Sequence, residues 1–121
     1  MESRDCLHLV WKSPTSGTQY VVGRLTRSED YCFEYGGDCD KAKTDGWEKL
    51  VAFPESKIYH CNDLFPAFSR RLPDRKRRNI DQILKKYGLE KYDGYELLRR
   101  SGGRLPIDGY SFVEADVEAR K

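Results

Sequence analysis

The chain has 121 residues, 38% of them hydrophobic and 35% charged, with 22 basic and 20 acidic side chains for a formal net charge of +2. That length supports one domain around one modest core, and no apolar run approaches the roughly 18 residues that a membrane-spanning helix needs. The opening "MESRDCLHLVWKS" carries acidic residues early and only a short apolar stretch, unlike a signal peptide, so a soluble, cytoplasmic protein is expected, folded as a single domain over residues 1–121.

In chain order, "CLHLVW" (6–11) and "YVVGRL" (20–25) are rich in β-branched and aromatic residues, with "SPTSGT" between them as turn material. "YCFEY" (31–35) sets Tyr31, Phe33 and Tyr35 on one face and Cys32 and Glu34 on the other, then breaks at Gly36-Gly37. Period-two alternation of this kind predicts an antiparallel meander of three strands over residues 6–35, buried on one face. "DCDKAKTDG" (38–46) suits one short helix ending at a glycine. "EKLVAFP" and "SKIYHC" read as irregular or strand-like, and Pro54 argues against a long regular element there.

A helical part is predicted over residues 62–102. It opens on Asn62 as a cap, with a proline in the first turn and Leu64, Phe65, Phe68 and Leu72 at helical spacing, and it stops before Pro73. A second helix is expected through "DRKRRNIDQILKKYG" (74–88), where Ile80, Ile83, Leu84 and Tyr87 share one face. A third begins at Asp93, which forms a capping-box pattern with Glu96, and ends at Ser101-Gly102-Gly103. "YSFVE" (110–114) alternates like a strand inside a closing segment over 105–115, ahead of a charged tail at 116–121. Strands gathered first and helices after them predict an α+β fold: a small antiparallel sheet, made of the N-terminal meander plus a C-terminal strand, packed against about three helices.

The chemistry-bearing residues are few. Cys6, Cys32, Cys39 and Cys61 include no C-x-x-C pair, and the adjacent His60 and Cys61 point to opposite faces of any strand. Buried free thiols in a reducing compartment are therefore expected, with no metal and no cofactor. His8 lies in an apolar strand and reads as a core or edge residue. The sequence contains no phosphate-cradling glycine loop, no H-E-x-x-H and no G-x-S-x-G, so no enzymatic activity of its own and no catalytic residue is assigned.

Charge is the stronger signal. Residues 1–69 carry 8 basic and 11 acidic groups, residues 70–104 carry 12 and 5, and residues 105–121 carry 2 and 4, giving −3, +7 and −2 in turn. Arg70, Arg71, Arg75, Lys76, Arg77 and Arg78 form the partner-binding candidate, displayed at a corner whose structural residues are Phe65, Phe68, Leu72, Pro73 and Asp74. With Arg75 to Arg78 opening the second helix, these cations would oppose its macrodipole and suit phosphate contact better than base reading. The cluster fits either phosphate or an acidic protein surface. Eight tyrosines (20, 31, 35, 59, 87, 92, 95 and 110) exceed what one small core swallows whole; they suit either a protein-binding surface or half-burial with their hydroxyls in water.

Taken in order, "VVGRLTRSEDYCFEY", "LFPAFSRRLPD", "RRNIDQILKKYG", "YDGYELLRRSGG" and "IDGYSFVE" resemble the N-terminal subdomain of the HipA-type toxin kinases, over roughly residues 8–114. The kinase body with its ATP and magnesium residues has no counterpart here. The resemblance therefore implies a non-catalytic module similar to the small HipS antitoxins, binding and modulating a HipA-like kinase or a C-terminal domain of the same system. It also implies that Leu72, Pro73 and Asp74 form the family's corner. The stretches "LFPAFSRRLPDRKRR" and "GGRLPID" are in addition similar to a segment that precedes HIRAN domains in bacterial proteins, which implies a nucleic-acid-binding accessory role for the basic cluster over 70–78. Two departures from the kinase pattern are the more basic 70–78 stretch and Leu105-Pro106-Ile107-Asp108 before the last strand.

Overall fold

The computed structural model describes residues 6–74, 76–103 and 108–114. Its order is β1 (Cys6–Lys12), β2 (Gln19–Arg27), β3 (Tyr31–Tyr35), α1 (Cys39–Thr44), β4 (Tyr59–Cys61), α2 (Pro66–Ser69), α3 (Ile80–Lys86), α4 (Gly94–Ser101) and β5 (Tyr110–Glu114). The strands form one antiparallel sheet in the order β4-β3-β2-β1-β5. The α+β class, the meander, the returning strand, the short helix within 38–46 and three further helices after it are as the sequence predicts, and β4 forms at one edge from the stretch read as irregular or strand-like.

Alternation along the strands divides the sheet into two chemically distinct faces. Leu7, Leu9, Leu25, Phe33 and Phe112 are buried on the inner face. Ala42 of α1, Phe68 of α2, and Tyr95 and Leu98 of α4 join them in one core, together with Trp47, Phe53 and Phe65 from the irregular stretches. The opposite face carries Cys6 and His8 on β1, Arg24 and Thr26 on β2, Cys32 and Glu34 on β3, and His60 on β4. Both histidines of the chain are therefore on the polar side.

Phe33 sits at the middle of the inner face. Its ring centroid lies 4.5 Å from that of Phe53, 5.3 Å from Tyr35 and 5.4 Å from Phe68. The ring lies over Gly23 of the neighbouring strand, so closely that a Cβ there would fall 2.5 Å from Phe33 Cε1. Next to it, the pairing of Leu9 with Gly23 and of Val10 with Val21 leaves Val22 as an extra residue in β2. The polar backbone groups at this irregularity are satisfied from outside the sheet. Asp38 accepts from the Val21 N–H at 3.0 Å, and the Val22 carbonyl accepts from Gly36 N at 2.8 Å and from Cys39 Sγ at 3.2 Å. The irregularity thereby seats the start of α1 against β2.

The helical part departs from the expected lengths. The first helix spans only Pro66–Ser69, begins after Phe65 rather than Asn62, and gives way to turns through Leu72. The second begins at Ile80, so Asp74, Lys76, Arg77 and Arg78 lie in the preceding turns and do not open a helix. Asp74 itself favours the turn: its Oδ1 accepts from Lys76 N and its carbonyl from Arg77 N, both at 2.9 Å. The cations thus lie just ahead of α3 and not within its first turn, which holds Asp81. α4 follows the prediction closely. Asp93 accepts from Glu96 N at 3.2 Å as its cap, and Gly102 closes it at φ 84°, a left-handed conformation suited to glycine. Residues 105–107 of the expected closing segment and the tail at 116–121 lie outside the described residues.

Gly23→Ala tests the central contact. Because the added methyl meets a buried ring held by other aromatics, the substitution is expected to destabilise the protein by about 1–3 kcal/mol, measured by urea unfolding; an unchanged midpoint would show that Phe33 is free to shift.

Candidate functional site

The predicted basic corner resolves into an anchor and a display. Phe65 and Phe68 are buried in the core, and Leu72 is half-buried against it. Leu64 and Leu72 lie against Gly94 at the start of α4, where a Cβ would come within 3.0 and 3.5 Å of their methyl groups. The Pro73 carbonyl accepts from the Tyr92 hydroxyl at 2.7 Å. These contacts fix the backbone from which the basic residues project.

Arg71 is turned inward. Its guanidinium donates to both Asp108 oxygens, at 3.1 and 2.8 Å, while Nε donates to the Gly103 carbonyl at 2.6 Å and Nη2 to the Tyr110 carbonyl at 3.2 Å. With its side chain only 9% exposed, Arg71 locks the corner to the start of β5. Burial alone would raise the Asp108 carboxyl, but the Arg71 guanidinium and the Tyr110 N–H outweigh it and hold the group below the usual aspartate value.

Arg70, Lys76, Arg77 and Arg78 are exposed and make no ion pair among the described residues. Arg75 lies outside the described residues. Around α4, by contrast, charge is neutralised locally: Glu96 pairs with Arg27, Arg99 and Arg100, and Glu114 pairs with Arg99. Four exposed cations without an ion pair among the described residues thus lie close together in sequence between Arg70 and Arg78, with the exposed Lys85 and Lys86 following on α3.

The tyrosines serve mainly to fasten irregular backbone. Tyr35 donates to the Phe53 carbonyl and accepts from Leu50 N at 3.1 Å, and burial pushes its hydroxyl up to about 12, which keeps the donating proton in place. Tyr59 accepts from Glu55 N at 2.9 Å, Tyr20 donates to Asp45 at 2.9 Å, and Tyr110 accepts from Trp47 Nε1 at 2.8 Å. These hydroxyls are therefore held by the protein itself.

One grouping escaped the sequence reading. His60 stands opposite Cys32 across β3 and β4, with Nδ1 3.2 Å from Sγ, and Asp30 Oδ2 lies 3.4 Å from the same nitrogen. The adjacent Cys61 points to the other face, as expected, and packs against the core. All four cysteines are free and half-buried, less enclosed than the buried thiols expected. Among the described residues no helix is long and apolar enough to cross a membrane.

Arg71→Ala is expected to lower stability by about 2–3 kcal/mol, since it strands a partly buried carboxylate and two carbonyls, read from urea unfolding at neutral pH. Asp108 is held below its ordinary value, so its contribution is complete above about pH 4 and is lost as the pH falls through the folded-state value. Asp108→Asn should remove that acid-dependent part; a variant whose stability falls with acid as steeply as the parent's would show that the pair contributes nothing.

Compared with protein-family models, curated proteins and solved structures, the chain shows no match.

Proposed function

We propose that the protein is a non-catalytic interaction module, of the HipA N-terminal type that its ordered segments resemble, and that it binds an acidic surface of a protein partner such as a HipA-like kinase. The observation that carries this reading is the corner between α2 and α3. Arg70, Lys76, Arg77 and Arg78, exposed and without an ion pair among the described residues, project from backbone pinned by Phe65, Phe68, Leu72 and the Arg71–Asp108 lock. Arginines held on a rigid base lose little freedom when a carboxylate engages them bidentately.

A protein partner is favoured over nucleic acid by what surrounds the cations. They occupy turns ahead of a helix of only 7 residues, which supplies no long recognition helix for a groove. The neighbouring aromatics, Phe65 and Phe68, are buried and offer no platform for stacking bases.

The test reverses charge where the fold does not use it. Arg77→Glu combined with Arg78→Glu should leave thermal unfolding unchanged and weaken capture of a co-expressed HipA-like kinase by about tenfold or more. Capture that is equal in the parent and the variant, or absent in both, overturns the reading. DNA or RNA binding at about 50 mM salt that disappears in the variant and falls steeply with added salt would replace it with the nucleic-acid role.

A further inference from the structure

Three side chains of different chemistry converge at the β3–β4 edge, on the polar face of the sheet. Asp30 lies in the turn entering β3, Cys32 follows two residues later, and His60 is the register partner of Cys32 in β4. Cys32 Sγ lies 3.2 Å from His60 Nδ1, Asp30 Oδ2 3.4 Å from that nitrogen, and Asp30 Oδ1 3.8 Å from the sulfur. We propose that Asp30, Cys32 and His60 form a three-ligand site for a zinc-class divalent cation, with its fourth position open to solvent.

Distances carry the assignment. Zinc bonds of about 2.3 Å to sulfur and about 2.0–2.2 Å to imidazole nitrogen or carboxylate oxygen set tetrahedral ligand atoms about 3.3–3.6 Å apart. The sulfur–nitrogen separation of 3.2 Å and the nitrogen–Oδ2 separation of 3.4 Å lie close to that range, and one ligand atom from each of the three residues lies within 4.8 Å of the other two before any side chain adjusts. One thiolate, one imidazole and one carboxylate make a mixed donor set suited to zinc rather than to calcium or magnesium, which prefer oxygen alone. His60 is 60% exposed, so the site is open to entry from solvent.

The same geometry argues against a cysteine nucleophile. In a thiol–imidazole–carboxylate relay the two ring nitrogens divide the work, one facing the nucleophile and the other the carboxylate. Here sulfur and carboxylate both approach Nδ1, which carries at most one hydrogen and can satisfy only one of them. A cation between the three satisfies all of them at once. Binding would form the sulfur–metal bond as the S–H bond breaks, releasing that proton to solvent. It would also tie β4, only 3 residues long, to the β2–β3 turn.

The reduced, chelator-stripped full chain is titrated with Co2+ as the probe, then with Zn2+ in competition. The expected result is saturable one-to-one binding with thiolate-to-cobalt charge-transfer absorption that zinc displaces. Cys32→Ser should abolish that absorption, and His60→Ala and Asp30→Asn should each weaken binding by about tenfold or more. Cys6→Ser, Cys39→Ser and Cys61→Ser, made singly and checked by circular dichroism, should keep it. Absence of the charge-transfer band in the parent chain, its persistence in Cys32→Ser, or its loss in a folded variant of another cysteine overturns the site.

Discussion

The packing of Phe33 over Gly23 is the contact on which the rest of the molecule depends. A side chain at position 23 would push the ring out of its place; without one, the ring occupies that space with Phe53 and Phe68 packed against it. Phe53 brings in the irregular stretch between α1 and β4, and Phe68 brings in α2 and, through its 5.1 Å contact with Phe112, the last strand. Segments with little regular structure are thereby held by a few large rings, each burying more apolar area than an aliphatic side chain. Tyrosine hydroxyls then satisfy the loop backbone that this packing draws inward.

Charges are arranged in two contrasting ways. Around α4 they neutralise one another, with Glu96 at the centre and the Arg27 guanidinium lying 4.4 Å over the Tyr95 ring. Around the α2–α3 corner they do not, apart from Arg71. The partly covered pairs of the first kind remove positive charge from the surface near α4. Exposed positive charge is therefore clustered at the α2–α3 corner, even though the chain as a whole is close to neutral.

The sheet was the most legible part of the sequence, because β-branched and aromatic residues mark 6–11 and 20–25 as strands and period-two alternation in 31–35 and 110–114 reports which face is buried. The helical part was less so. Leu64, Phe65, Phe68 and Leu72 have helical spacing, yet Pro66 starts the helix late, and the pull of Arg71 toward Asp108 ends it as turns. Arg71 also looks identical to Arg70 in sequence; only the position of Asp108, distant along the chain, separates a lock from a displayed charge. The face of β3 that carries Cys32 was legible from alternation, but its pairing with His60 was not. The register between β3 and β4 is set across a long irregular stretch by aromatic packing, which no local pattern encodes.

The pairing of β1 with β5 has a consequence for how the chain reaches this state. Leu7 is matched with Glu114 and Trp11 with Tyr110, so one flank of β1 waits for nearly the whole chain before it finds its neighbour. The β1–β2–β3 meander can zip through local turns, whereas closing on β5 requires a long loop to be drawn in and its entropy overcome late. Until then, the inner-face leucines of β1 lack the cover of Phe112, and an unpaired strand flank is open to other chains. During synthesis on the ribosome the sheet stays incomplete until the last strand has emerged, and that interval is when the chain is most exposed to aggregation.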